Sequence, residues 1–167
     1  PKIATGSFGT LVAMTSVIVK VLPLPETEET LVFKGLTDDA AIHLMSDAMQ
    51  SPEEVSCAAQ LPGEGTCLRL EGTSVSVAAR RDRLAALLKN GAEVMPVKQS
   101  GKLWARIRDC KVFAQVASRA LWRISVAPMQ GAAVAEAIRS QLDCQYYFDW
   151  AGGLLWLSTP ADEHASG

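Results

Sequence analysis

The order in which short apolar strands and amphipathic helices alternate is the feature that most constrains the fold of this chain. A strand–helix–strand–strand–helix order begins at Thr30, and a strand–helix–strand–strand order follows it from Arg119. Two β-α-β-β units of this kind predict an α+β fold of ferredoxin-like type, with helices on one face of a largely antiparallel sheet. The two units share this order of elements and not a residue-level repeat.

The first unit has well-marked element boundaries. TLVFKGL (Thr30–Leu36) has the apolar content of a strand, and TDDAAIHLMSDAMQ predicts a helix that Thr37 or Asp38 caps. EEVSCAAQLPG and GTCLRLEG predict two strands joined in a hairpin around LPGEG. A second helix is predicted in TSVSVAARRDRLAALL, with an inner face formed by Leu84, Leu87 and Leu88.

The second unit follows a stretch, PVKQSGKLWARIRDC, that predicts a helix from Gly101 or Lys102 onward. RALWRISVAP predicts a strand, and MQGAAVAEAIRSQLDC predicts a helix entered after Pro128. CQYYFDWAGGLLWLST divides at Gly152-Gly153 into two strands of a hairpin. The last seven residues, 161–167, form a polar tail.

Composition argues against several classes of function. The net charge is −2 and no run of basic residues exceeds ARRDR, so no nucleic-acid partner is expected. The longest apolar run, Leu11–Leu24, is interrupted by polar residues and is too short to span a membrane. The four cysteines are isolated and only two histidines occur, so we expect no metal site and a reducing, cytoplasmic environment.

The segment GSFGTLVAMTSVIVKVLPLP resembles the end of the FAD-binding domain in FAD-linked oxidases of the vanillyl-alcohol-oxidase type. The matching positions are Gly6, Ser7, Gly9, Thr10, Leu11, Thr15, Lys20 and Pro23. The residues of this segment predict a tight turn followed by a buried strand, and the resemblance implies that Gly6, Ser7, Gly9 and Thr10 contact FAD. Val12 departs from the pattern, because these oxidases usually carry glycine there.

The other end of the chain resembles the C-terminal region of the FAD-binding subunits of glycolate oxidase, the E subunits. LWRISVAP and YYFDWAGGLLWL match at Trp122, Arg123, Ser125, Asp149, Trp150, Gly152, Gly153 and Trp156. This resemblance implies that residues 1–25 are the last segment of a truncated FAD-binding domain. Residues 26–160 would form the cap, or substrate, domain, and residues 161–167 the tail.

The resemblance also implies a function: oxidation of glycolate to glyoxylate in a flavin-dependent complex. The partners would be a second flavin subunit and an iron–sulfur subunit, in the cytoplasm or peripheral to the inner membrane through those subunits. Since the expected pyrophosphate-binding half would precede Pro1, we expect the chain alone to bind FAD weakly or not at all and to be inactive. We also expect a homodimer formed through the exposed N-terminal strand.

Individual residues leave alternatives open. Arg123 either clamps a substrate carboxylate or stacks on a neighbouring tryptophan and pairs with Asp149. The tryptophans form a core, a flavin-facing pocket or a subunit interface. The arginines of ARRDR are expected on a solvated helix face, with contact to an acidic partner subunit as the alternative. His43 is not expected to be a catalytic base, and no nucleophile–base pair is recognisable. Two further readings of the whole chain are a non-catalytic assembly domain and a free-standing ferredoxin-like ligand-binding domain.

Overall fold

The computed structural model describes residues 4–21, 23–89, 91–113 and 119–160, so the predicted tail lies outside the described residues. The strands are β1 (Thr27–Phe33), β2 (Cys57–Leu61), β3 (Gly65–Gly72), β4 (Glu93–Met95), β5 (Arg119–Ser125), β6 (Gln145–Asp149) and β7 (Leu154–Pro160). The helices are α1 (Asp38–Gln50), α2 (Ser74–Leu88), α3 (Val97–Arg108) and α4 (Gly131–Arg139). Short 3₁₀ turns occupy Lys111–Phe113, Pro128–Gln130 and Trp150–Gly152.

The strands form one sheet in the order β4-β1-β3-β2-β6-β7-β5, and every neighbouring pair is antiparallel. The predicted α+β class and antiparallel sheet are therefore confirmed. The two halves of the sheet meet between β2 and β6, whose register contains the single pair Gln60↔Phe148. Both predicted hairpins, β2–β3 and β6–β7, are present in the structure.

The helices divide between the two faces of the sheet. Buried side chains of α1, α2 and α4 pack with Leu31, Leu68 and Phe148 in one core cluster. Leu103, Trp104 and Ile107 of α3 pack with Tyr147 in a second cluster. Because neighbouring residues of β1 and β6 alternate between the clusters, the two clusters lie on opposite faces. The expected one-sided helix layer thus consists of α1, α2 and α4, with α3 added on the other face.

Helix α1 follows the sequence prediction closely. The Thr37 side chain accepts a hydrogen bond from the Ala40 amide, and two acidic residues occupy the first turn. Ile42 and Met45 are fully buried against the sheet, whereas Met49 is half exposed.

Helix α2 differs from its predicted faces at two positions. Leu84 and Leu88 are buried as expected, but Leu87 is 54% exposed and the prediction for it is wrong. Arg80 was expected in solvent and is instead buried, with its guanidinium donating to backbone carbonyls of Glu53 and Glu71. The reason is geometric, since Arg80 lies one turn from each of the buried residues Val77 and Leu84.

Helix α3 begins at Val97, earlier than Gly101 or Lys102, and β4 was not predicted. The only buried residues of α3 are Ser100, Leu103, Trp104 and Ile107, so its first turn carries little apolar signal. Strand β4 has three mostly exposed residues at the edge of the sheet, which gives it no recognisable alternation.

The opening segment is the clearest departure from expectation. Residues 11–21 were predicted as a buried strand, and they form neither strand nor helix and are exposed. No strand of the described residues pairs with them, so their apolar side chains face solvent; Ile18 is 99% exposed. Across the described ranges, no helix combines the length and apolar character that crossing a membrane requires.

Candidate functional site

A cleft of about 770 Å³ opens on the α3 face of the sheet, where its two halves meet. One wall comes from β1, β2, β3 and α3. The other comes from β5, β7, the end of β6 and the turn after it. This volume is within the usual range for small-molecule sites in proteins. Its aromatic and charged lining includes Arg69, Trp104, Arg123, Asp149, Trp150 and Trp156.

On the first wall, Arg69 is held by several partners at once. Its guanidinium forms ion pairs with Glu28 at 3.6 Å and Glu71 at 3.2 Å, and it lies 5.4 Å from the centre of the Trp104 ring. It also donates to the Ser56 hydroxyl at 3.2 Å. Because its charge is balanced within the wall, Arg69 is a structural group and not a free cation for a ligand.

Trp104 is fixed by a buried hydrogen-bond chain between α3 and β1. Its indole Nε1 donates to the Thr30 hydroxyl at 2.8 Å, and that hydroxyl lies 2.8 Å from the hydroxyl of Ser100. Thr30 and Ser100 have no exposed surface. The polar atoms are therefore satisfied internally, and the tryptophan forms a rigid part of the cleft wall.

On the second wall, Arg123 is the side chain whose charge is unbalanced. Its guanidinium carbon lies 4.9 Å from the centre of the Trp150 ring, as one of the two sequence interpretations expected. The residue is exposed, and no carboxylate of the described residues forms an ion pair with it. The predicted pairing with Asp149 is absent from the hydrogen bonds of that aspartate, which accepts from Trp150. The Arg123 donors are thus open to the cleft.

Trp150 is presented by an unusual turn. Trp150 and Ala151 have φ of 52° and 53°, and Gly152 has φ of 93°. Left-handed backbone is unfavourable for residues other than glycine, so the surrounding structure must hold this turn in place. A Cβ on Gly152 would lie 2.9 Å from the Pro128 carbonyl oxygen, which makes glycine necessary there. Trp150 remains 59% exposed, and burial does not account for its position.

Asp149 stands at the start of that turn. Its Oδ1 accepts a hydrogen bond from the Trp150 amide at 2.8 Å. Burial raises the pKa of the Asp149 carboxyl above its ordinary value, and the Trp150 amide offsets part of that rise. From the sequence, Asp149 was a residue matched by the resemblance and an expected partner of Arg123, with no role toward a ligand. The signal that pointed to it was its place before a tryptophan and two glycines.

The cysteines offer no reactive thiolate at this site. Cys57 lines the cleft, and burial raises the pKa of its thiol. Burial also raises the pKa of Cys67, to about 12. The part of the chain that the structure describes contains no group of three or more histidine, cysteine or acidic residues arranged to hold a metal ion.

The predicted FAD contacts lie apart from this cleft, in a turn over residues 4–10. Gly6 and Gly9 have φ of 83° and 78°, and no atom lies within 4 Å of a Cβ built on either. Their exposed backbone fits the edge of a flat ligand. The donors of Ser7 and Thr10 are turned inward, to the Ala4 and Ser7 carbonyl oxygens. The turn therefore fits FAD as a contact and does not form a cradle for its phosphates.

The remaining predicted residues fall outside the cleft. His43 is exposed on α1, with Asp39 at 3.9 Å. Trp122 lies on the opposite face of β5 and is half exposed beside a smaller apolar cleft of about 440 Å³. The cleft thus unites Arg123 with Trp104, Trp150 and Trp156, and separates them from the glycine turn.

Comparison with curated proteins finds that this chain is similar in sequence to a subunit of an oxidase. It is similar to the glycolate oxidase subunit GlcE of Escherichia coli K12, with 27% identity over 170 residues. The match covers 98% of this chain and 41% of that protein, so the chain spans less than half the length of this relative. A comparison with protein-family models finds none that matches the chain.

Proposed function

We propose that this chain is the substrate-side domain of the FAD-binding subunit of a glycolate oxidase. Similarity to a glycolate oxidase subunit along nearly the whole chain supports this assignment. In this proposal residues 26–160 form the cap domain and residues 1–25 belong to the FAD-binding domain. The complete protein would oxidise glycolate to glyoxylate with a second flavin subunit and an iron–sulfur subunit, in the cytoplasm.

Arg123 is the observation that carries the proposal. It is an unbalanced cation in the cleft, and a planar guanidinium binds a carboxylate through two parallel hydrogen bonds. The Trp150 ring centre lies 4.9 Å from the guanidinium carbon, and a cation–π contact of this kind does not use the N–H donors that such a ligand would need. Arg69 also lines the cleft, but its positive charge is already balanced by Glu28 and Glu71.

The size of the cleft supports a site that a small hydroxy acid shares with a flat aromatic ring. A two-carbon hydroxy acid fills a small part of about 770 Å³, and the tryptophan walls suit a flat aromatic ring beside it. FAD, when bound, supplies the group that accepts hydride from the alcohol carbon. In the cleft, the residues of this chain would bind the carboxylate and exclude water with their aromatic walls. Gly6 and Gly9, which do not line the cleft, would contact a part of the cofactor outside it.

A second candidate function is assembly. The segment before β1 exposes large apolar side chains that no described residue covers: Phe8, Leu11, Met14, Val17, Ile18, Val19, Val21 and Leu24. A surface of this kind is typical of a segment that packs against another chain or domain. In that case the domain would organise the complex while a partner subunit performs the oxidation.

Co-expression with the two partner subunits separates these candidates. We expect Arg123→Ala to leave the complex assembled and to lower kcat/KM for glycolate by about tenfold or more, because a charge-assisted carboxylate contact is lost. Arg139→Ala is the matched control, since Arg139 also stacks on an aromatic ring, at 5.5 Å from Tyr146, outside the cleft. Loss of assembly at Arg123→Ala with unchanged residual turnover would favour the assembly function instead.

A further inference from the structure

We propose that Asp149 binds the hydroxyl group of the 2-hydroxy acid whose carboxylate Arg123 holds. This inference rests on the proposed function and adds a second recognition element to the same site. Arg123 and Asp149 both line the cleft, on different strands of its second wall. The two residues therefore present a cation and a carboxylate to one small volume.

The sheet register places both residues on one face. Arg123 and Tyr147 each lie opposite Trp156 of β7, and Asp149 follows Tyr147 by two residues on β6. Opposed residues in a sheet share a face, as do residues two apart on a strand. Two strand spacings and two residues separate Arg123 from Asp149, which corresponds to about 12 Å between their Cα atoms.

Both side chains extend toward the same turn, so their charged groups lie closer together than the Cα atoms do. The Arg123 guanidinium reaches toward the turn after β6, where it lies over the Trp150 ring. The Asp149 carboxylate is held at the start of the same turn by the Trp150 amide. Both groups line the same cleft, and the ion pairs of the described residues do not include one between them, so neither is neutralised by the other.

Asp149 has acceptor capacity that the fold does not use. Within the described residues, its one hydrogen bond is the one from the Trp150 amide to Oδ1. A carboxylate offers about four acceptor positions, and a partly buried carboxylate gains from a further donor. Its raised pKa is consistent with a carboxyl group that is removed from water and incompletely compensated.

The other charged groups of the cleft lie on its first wall, in β1, β3 and α3. Arg69 and Glu28 pair with each other across the first wall. Arg108, which also lines the cleft, pairs with Asp109 at 2.8 Å. On the first wall, Glu28 Oε1 is a further buried acceptor without a hydrogen-bond partner among the described residues. On the second wall, Arg123 and Asp149 offer one cation and one acceptor, and a 2-hydroxy acid carries one anion and one neighbouring donor.

Two acids that differ by the hydroxyl group test the proposal directly. Glycolate and acetate are titrated into the 167-residue chain at constant ionic strength, with the Trp150 amide resonance as reporter. We expect glycolate to bind the unaltered chain about tenfold more tightly than acetate, because a hydrogen bond to a carboxylate is lost with the hydroxyl. In Asp149→Ser the two dissociation constants are expected to become equal.

Serine is chosen because it also accepts backbone hydrogen bonds at such positions and preserves the turn. Asp143→Ser is the matched control, an exposed aspartate that pairs with Arg119 outside the site and is expected to retain the tenfold preference. An undiminished preference for glycolate in Asp149→Ser overturns the inference and leaves the proposed function standing. If neither acid binds the unaltered chain, the carboxylate site and the hydroxyl site are both rejected.

Discussion

At the scale of single residues, arginines perform opposite tasks in this molecule. Arg80 is 7% exposed, and its guanidinium donates to the carbonyl oxygens of Glu53 at 3.2 Å and Glu54 at 3.4 Å, and to that of Glu71. It ties the loop before β2 to the end of β3. Arg123 is exposed and has no such partners among the residues that the structure describes, so the same type of side chain is structural in one place and available for a ligand in the other.

Replacing Arg80 by methionine is expected to destabilise the fold by about 2–4 kcal/mol, because several carbonyl groups lose their buried donor. Urea unfolding followed by circular dichroism measures the change. Arg139→Met is the matched control, since Arg139 is exposed and its pairing with Glu136 lies in solvent. Equal stability of the two variants would contradict the structural role of Arg80.

Asp149 is expected to cost the fold stability at neutral pH. Burial raises the pKa of the Asp149 carboxyl in the folded chain above its value in the unfolded chain. The contribution of Asp149 to the stability of the fold is therefore most favourable below the ordinary aspartate pKa of about 3.9, and it is lost as pH rises through the native pKa. Asp149→Asn should therefore be more stable than the unaltered chain at pH 7, and the difference should shrink at pH 3.5. Urea unfolding at the two pH values measures it.

The control for that pH dependence has the opposite sign. Arg108 and Lys111 lower the pKa of Asp109 to about 2, so Asp109 stabilises the fold above the ordinary aspartate value and loses that effect as pH falls. Asp109→Asn should lower stability at pH 7. If Asp149→Asn also lowers it, the proposed cost of the cleft carboxylate is wrong.

At the scale of elements, the turn over Trp150–Gly152 determines what the cleft contains. It places an exposed indole over Arg123 and a carboxylate beside it, and it is fixed by close packing against Pro128 and Ile42. Strained backbone that holds an exposed aromatic residue is more common at binding sites than in ordinary hairpins.

Gly152→Ala is expected to destabilise the chain by about 3 kcal/mol, since the added Cβ meets the Pro128 carbonyl oxygen and the backbone is left-handed. Gly91→Ala separates the two causes. Gly91 has φ of 64° with open space around it, so Gly91→Ala adds backbone strain without crowding. We expect it to destabilise the chain by about 1 kcal/mol. Thermal unfolding compares the variants, and equal losses would show that crowding at the turn is unimportant.

The elements that the sequence predicted are those with local boundary signals. Thr37 and the acidic first turn mark α1, and LPGEG marks the β2–β3 hairpin. Strand β4 and the first turn of α3 were missed because their residues are largely exposed. Arg123 could be selected from sequence, but the acceptor role of Asp149 depends on register across three strands, which no local pattern carries.

At the scale of the whole molecule, the cleft lies over the seam between the two β-α-β-β units. Cys57 and Arg69 come from the first unit, and Arg123 and Asp149 come from the second. The described residues of the segment before β1 do not belong to either core cluster. One part of the chain therefore builds a site, and another presents an uncovered apolar surface.

That surface is expected to make the chain associate with itself. Light scattering should show dimers or larger species at micromolar concentration, and the double substitution Ile18→Glu, Val19→Glu should shift them toward monomer. Val75→Glu is the matched control, because Val75 is a single exposed apolar residue on α2. Monomer alone at every concentration would remove the prediction.

The most direct test of the central claim observes the Arg123 side chain itself. Its Nε–H resonance, assigned by its loss in Arg123→Lys, is followed while glycolate is added to the chain. If Arg123 is the carboxylate-binding cation of the cleft, this resonance shifts and saturates while that of Arg139 stays in place. A saturable shift at Arg139 alone, or none at Arg123, would contradict the account.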